Sequence, residues 1–206
     1  MSRPFGEVLA TRRMCRDYLT RPIPDDLLRR VLHAAFRGPA AGNTAALDLL
    51  VLQGDDVAAY WDLTLSDDGP SGRRASFRWP GLLRAPVLVV PVVDPIAYLE
   101  RYAERDKAAS GLGGDLDAWS VPYWWVDGGA ATMALLLAAE DAGLGCLLFG
   151  QFDHAPLLAR RFDIPAGHRA VGTVALGWPA PEGRHPSASA RRGRPDPDDR
   201  LHLGRW

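Results

Sequence analysis

The stretch from Tyr123 to Asp153, YWWVDGGAATMALLLAAEDAGLGCLLFGQFD, constrains this chain more than any other. Ala130, Ala131, Ala134, Ala138 and Ala139 bring high helix propensity and a thin profile, and Met133, Leu135, Leu136 and Leu137 leave little of the circumference polar. A helix of this composition is expected to be buried nearly all round. Gly143 stands where a left-handed C-cap is wanted, and Cys146 to Phe149 form an apolar run too short for a second helix, so a buried strand is predicted there. At the turn that follows, Gly150 lets backbone face a ligand.

The remaining composition sets bounds on what surrounds this core. A chain of 206 residues, 47% of them apolar, fits one domain spanning 1–206. A formal charge of −1 argues against nucleic acid or an anionic membrane as the main partner. Cys15 and Cys146 stand far apart in sequence and the five histidines are scattered, so neither a disulfide framework nor a metal site is expected. The N-terminus lacks an apolar signal core and no run approaches the ~20 residues of a membrane span, which makes a cytoplasmic protein the expectation.

Taken in order, the chain alternates helices and strands. A short helix over Pro4 to Thr11 runs into Arg12-Arg13-Met14-Cys15-Arg16, whose three guanidinium groups form either a solvated basic turn or a site for bidentate bonds to phosphate. Pro22-Ile23-Pro24-Asp25-Asp26 starts a second helix that ends at Gly38-Pro39. The small-residue loop Pro39-Ala40-Ala41-Gly42-Asn43-Thr44 either approaches a flat ligand or simply connects to a strand over Leu47 to Gln53. A helix around Val57 to Leu65 precedes residues 66–78, which read as a mobile loop and a candidate lid. Val87 to Val93 reads as a central strand that Pro91 ends or bulges. A helix from Pro95 to about Lys107 is expected to leave Arg101 in solvent. Trp119, Tyr123, Trp124 and Trp125 either line a pocket for a planar substrate or serve packing. A short helix at Ala155 to Phe162, a single strand from Arg169 to Leu176 and a polar, Arg-rich segment 177–206 complete the chain. That segment carries a second basic cluster, Arg191-Arg192-Gly193-Arg194, and ends in a predicted short strand, Leu201 to Trp206. It has too few apolar residues to fold alone and must lie over the body or over another subunit. The pattern is a layered α+β or α/β domain with a mixed sheet.

In sequence, these motifs resemble the nitroreductase family. The resemblance rests on Arg-Arg-x-x-Arg-x-aromatic at 12–18, Pro-Ile-Pro at 22–24, Pro-x-x-Gly-Asn-Thr at 39–44 and Leu-x-x-Ala-Pro at 82–86. It continues through Asp127-x-Gly-Ala-Ala with its Leu-Leu-Leu-Ala-Ala helix, Gly-Leu-Gly-Cys at 143–146, Val-Ala-Leu-Gly-Trp-Pro at 174–179 and the C-terminal Arg-Gly-Arg and His-x-Gly-Arg-Trp. The family implies an α+β fold with a central, mixed but mainly antiparallel sheet flanked by helices. It also implies a homodimer with FMN at the subunit interface and a C-terminal extension wrapped around the partner. Carried over by residue, Arg12, Arg13, Met14 and Arg16 would meet the flavin, with Arg12 at the phosphate and Arg16 towards the pyrimidine edge. Arg192 and Arg194 would close on the same phosphate. Pro39, Ala40, Ala41, Gly42 and Asn43 would reach the ring from the other subunit, and Phe149 and Gly150 would back it. Trp119, Tyr123 and Trp124, read from the sequence itself, are the candidates for the substrate pocket.

The cycle that this resemblance implies is ping-pong. NAD(P)H reduces the flavin at N5, leaves, and is replaced by an electron-poor small molecule such as a nitroaromatic or quinone. The flavin carries the chemistry, so no catalytic acid, base or nucleophile is required of the protein. The chain departs from the family at Met14 and Ala40, where serines are common, and at Ala45-Ala46-Leu47, where Gln-Pro-Trp is common. The alternative these departures raise is a flavin- or deazaflavin-binding or sequestering protein with little turnover.

Overall fold

The computed structural model describes residues 3–65, 74–181, 183–184, 192–193 and 195–206. Its centre is a sheet with the strand order β1 (Leu47–Gln53), β2 (Val87–Val93), β5 (Thr173–Gly177), β3 (Gly145–Phe149); the two-residue β4 (Arg169–Ala170) pairs with the end of β2. All these ladders are antiparallel, and the parallel element among the described residues is the isolated Met14–Cys146 bridge. The fold is α+β, as expected.

Strict alternation along the strands feeds two cores. Val87 and Val89 of β2, Val174 and Leu176 of β5 and Cys146 of β3 face one way, onto Leu135, Leu136 and Ala139 of α5 (Tyr123–Asp141) and Leu28 and Val31 of α2 (Asp25–Ala34). Leu88, Ala175 and Leu147 face the other way, onto Tyr60 and Trp61 of α3 (Asp55–Thr64) and Leu158 of α6 (Ala155–Arg161). A strand covered on both faces has no polar positions to spare, which is why β2 reads as an unbroken apolar run. Pro91 neither ends nor bulges it: Leu49 pairs with Pro91 in continuous register. The Pro91 carbonyl accepts from Val171 N at 2.9 Å. Its missing N–H points to the same side, where β4 and β5 are interrupted, so no ladder bond is lost.

That interruption corrects the single strand predicted over 169–176. Gly172 has φ 154°, and a Cβ there would lie 2.9 Å from Phe149 O, so the chain jogs around the end of β3 and resumes as β5. Helix α4 (Pro95–Ala103) is shorter than predicted because Glu104 is already extended. The predicted C-terminal strand does not form: residues 201–206 pair with no strand, and Leu203 and Trp206 are fully exposed. A strand needs an edge to bond to, and this segment meets none among the described residues. Residues 66–73 of the predicted lid, and Arg194, lie outside the described residues.

Helix α5 ends as its sequence requires. Leu144 N donates to Ala139 O and Gly143 N to Glu140 O, both about Gly143 at φ 75°, the bond pair of a Schellman cap. Gly128 lets the helix settle on the sheet, since a Cβ there would meet Val171 Cγ2 at 2.7 Å. The expectation of burial all round is corrected. Trp125, Val126 and Met133 are 43%, 48% and 39% exposed, because the sheet, α2 and α1 (Phe5–Thr11) cover only part of its surface.

Candidate functional site

Residues 12–19 form an extended arm locked between β3 and the segment after β5. Cys15 N donates to Cys146 O (2.8 Å), Arg16 N to Gly183 O (2.7 Å) and Leu19 N to Trp178 O (2.9 Å). Cys15 Sγ fills the space left by two glycines: a Cβ on Gly145 would lie 2.6 Å from it and one on Gly183 2.9 Å. Tyr18 is buried, its hydroxyl donating to Cys15 O at 2.9 Å, and Asp17 pairs with Arg84. With Cys15 and Tyr18 turned inward, Arg12 and Arg16 stay half-buried beside β3.

The three arginines of the arm separate. Arg16 lines a pocket of about 310 Å³ with Trp61, Trp79, Phe149, Gly150 and Phe152, its guanidinium 5.6 Å from the centroid of the Trp79 ring. Arg12 has its Nη1 buried with no hydrogen-bond partner among the described residues, a cationic donor turned away from water and left available to an anion. Arg13 is exposed and caps α1 by donating to Ala10 O and Arg12 O. Met14 packs against both cores. Phe149 stacks on Trp61, rings 5.7 Å apart and 13° from parallel, making part of the pocket wall. Phe152 is 86% exposed at φ 44°, with its ring so close over Gly150 that a Cβ there would approach within 2.8 Å.

The loop 39–44 is built elsewhere on the chain. Asp127 Oδ2, buried in the first turns of α5, accepts from Ala41 N (2.7 Å) and from Tyr98 Oη (2.8 Å). Gly42 and Asn43 are left-handed at φ 65° and 56°, and Arg101 Nε donates to Gly42 O at 2.8 Å. Arg101, expected in solvent, is therefore a loop anchor and pairs with Asp106 at its other end. Ala41 lines a second concavity of about 370 Å³ with Tyr102, Trp119 and Tyr123. Of the predicted substrate-pocket aromatics, Trp119 and Tyr123 meet there, whereas Trp124 is buried edge-on to Tyr98 and Trp119. The two concavities share no lining residue. Arg192 is exposed.

Several residues that shape this architecture were given no role by sequence reasoning: Glu140, Trp61, Trp79, Gln151, Arg184 and, beyond its place in a family motif, Asp127. Two of them carried a signal, since Asp127 and Glu140 are carboxylates inside a helix that is otherwise apolar, where a charge persists only with partners. Gln151, buried, donates to Thr173 Oγ1 at 3.0 Å, which also contacts Tyr60 Oη at 2.8 Å. Burial pushes the Tyr60 hydroxyl and the Cys146 thiol up to about 12 and raises Cys15. Burial also pushes Glu140 up, but the hydrogen bonds from Arg184 and Arg3 outweigh it and hold the carboxyl below the usual range.

The chain is similar in sequence and fold to known proteins. The family model described as "Nitroreductase family" matches residues 9–178. An NADH dehydrogenase of Thermus thermophilus is 30% identical over 190 residues, covering 84% of this chain and 85% of the relative. A 4-nitrobenzoate reductase of a Nocardioides species is 28% identical, covering 98% and 90%. Among solved structures, a nitroreductase family protein of Streptococcus pneumoniae superposes with a TM-score of 0.71 at 16% identity over 97% of this chain and 99% of that one. A protein of Desulfovibrio desulfuricans solved in complex with FMN superposes at 0.64 with 23% identity, covering 96% and 100%. With the family model spanning most of the chain and the whole fold superposing, this protein belongs to the nitroreductase family.

Proposed function

We propose that the chain is a homodimeric, FMN-dependent oxidoreductase that takes electrons from NAD(P)H and passes them to an electron-poor small molecule in a ping-pong cycle. The observation that carries this reading is the pairing of the unpartnered, buried Arg12 Nη1 with the Arg16-lined pocket on the same arm. A phosphate monoester supplies the charge and acceptors that Arg12 lacks, and an apolar, aromatic pocket suits a planar ring. FMN, when bound, supplies the hydride-accepting and hydride-donating centre. The protein's part is to hold the ring, exclude water through Trp61, Trp79 and Phe149, and keep the fixed positive charge of Arg16 close by, where it favours the anionic reduced ring. The relatives support this chemistry in their own right: one is solved with FMN, one is named for nitrobenzoate reduction and one for NADH oxidation.

The dimer is supported by what a single chain leaves uncovered. Val126, Gly129 and Met133 form an exposed stripe on α5, with Phe5 and Leu9 of α1 and Phe36 also exposed, apolar surface that a second subunit would cover. Leu203 and Trp206 are fully exposed among the described residues, as expected of an extension that covers a partner. In such a dimer the loop 39–43, with Trp119 and Tyr123, completes the site of the other subunit.

The absorption spectrum of the purified protein tests the reading. A yellow protein bleached by NAD(P)H and restored by a quinone is expected. Colourless protein that takes up no added FMN refutes it; yellow protein that neither nicotinamide bleaches points to a flavin or deazaflavin carrier instead.

A further inference from the structure

Glu140 plays no part in the chemistry above, yet it is fully buried. A carboxylate in that position is costly unless cations and hydrogen bonds surround it. Its Oε1 receives Arg184 Nη1 at 2.9 Å and Arg3 Nη1 at 3.2 Å, with Thr11 Oγ1 at 3.1 Å. The two arginines reach past it to backbone, Arg3 Nη1 to Glu140 O (3.1 Å) and Arg184 Nη2 to Leu144 O (3.2 Å). The N-terminal residues, the end of α1 and the segment after β5 therefore converge on one carboxylate at the last turn of α5.

Those contacts bracket the arginine arm. Thr11 directly precedes Arg12. Arg184 directly follows Gly183, whose carbonyl accepts from Arg16 N at 2.7 Å. The second carboxylate oxygen, Oε2, is buried without a hydrogen-bond partner among the described residues, as is Arg12 Nη1. The field of this region reaches the interior: Arg12, Arg184 and Glu140 all act on the buried Cys146 thiol. The start of the arm and the backbone beside Arg16 are thus tied to a single charge, and between them stands Arg12, whose Nη1 has no hydrogen-bond partner among the described residues.

We infer that Glu140 is a positioning residue for phosphate recognition: by pinning Thr11 and Arg184 it holds Arg12 in place for the phosphate of FMN. The inference rests on the FMN reading above. An arm whose backbone is free loses conformational freedom when its guanidinium binds, and an arm held in advance does not. Replacing the charge weakens both clamps and returns that cost to the binding step. The larger effect falls on the phosphate, because among the described residues Glu140 makes no recorded hydrogen bond to a pocket-lining side chain and reaches Arg16 only through the backbone of Gly183.

FMN and riboflavin share the ring and ribityl chain and differ by the phosphate, so the pair isolates the role. Each is titrated into apoprotein, following quenching of flavin fluorescence. Glu140→Gln keeps the size and one acceptor oxygen and removes the charge; it is expected to weaken FMN by about ten- to a hundredfold, the range for losing a partner that orients a ligand, with riboflavin affinity within about twofold of the parent. Arg184→Gln is expected to reproduce the pattern and stands in if Glu140→Gln does not fold. Equal losses for FMN and riboflavin make Glu140 a purely structural residue and overturn the inference, as does an unchanged FMN affinity. Parent protein that binds neither flavin removes the FMN reading itself, and the inference falls with it.

Discussion

Removing the Asp127 carboxylate is expected to release the loop 39–44 and destabilise the protein. Its Oδ2 is the recorded acceptor for Ala41 N at 2.7 Å and Tyr98 Oη at 2.8 Å, on a residue only 9% exposed. Asp127→Ala leaves a part-buried amide and a buried phenol without their acceptor. Hydrogen bonds to a charged group are worth about 1.5–3 kcal/mol each, so the pair amounts to about 3–6 kcal/mol. For a domain of this size about 1 kcal/mol moves Tm by about 2–4 °C, so a fall of roughly 6–24 °C is expected. Tyr98→Phe removes one of the two bonds and should cost about half as much. Asp127→Asn keeps a neutral acceptor and should fall between the parent and Asp127→Ala. The assay is thermal unfolding at fixed protein concentration, since association moves Tm. A melt of Asp127→Ala within about 2 °C of the parent would refute the reasoning, because under about 1 kcal/mol cannot hold these two donors.

Arg16→Ala is expected to weaken FMN binding strongly in a fluorescence titration, whereas Arg30→Ala, on an exposed i,i+4 pair with Asp26, should leave it unchanged; equal effects would remove Arg16 from the site. In Gly145→Ala the new Cβ falls 2.6 Å from Cys15 Sγ, and overpacking of this kind costs about 1–3 kcal/mol, so a lower Tm and a displaced arm are expected; an unchanged Tm would mean that the arm is not locked by that contact. Val126→Glu combined with Met133→Glu places charges on the exposed stripe of α5 and should yield monomers by light scattering; a persistent dimer would move the interface elsewhere. At alkaline pH the folded state holds the Cys146 and Tyr60 protons more tightly than the unfolded chain, with both groups raised from 9.0 and 10.0 to about 12. Their stabilisation is complete below about pH 9 and is lost as pH climbs towards 12, so Tm should fall between pH 9 and 11, less steeply in Cys146→Ala; equal slopes would exclude Cys146 as a source.

The elements whose pattern is local were legible in the chain. Strands β1 and β2 begin and end where their apolar runs do, and Gly143 caps α5 as its position promised. Gly172 was not legible as a strand break, because the obstacle that turns the chain there, Phe149 O, belongs to β3. The same holds for Arg101, whose anchoring role exists only because the loop carrying Gly42 folds over α4.

By itself the sequence determined the alternation of helices and strands, the two-faced burial of the sheet and the family motifs, since each follows from periodicity or from residues adjacent along the chain. The tertiary structure decided which charges are available and which are spent. Arg13 caps a helix, Arg101 holds a loop, Arg3 and Arg184 surround Glu140, and Arg12 is left with a buried nitrogen that has no partner among the described residues. Five arginines look alike in a sequence because a guanidinium has no role until its neighbours are set, and those neighbours come from residues as far apart as Arg3 and Arg184.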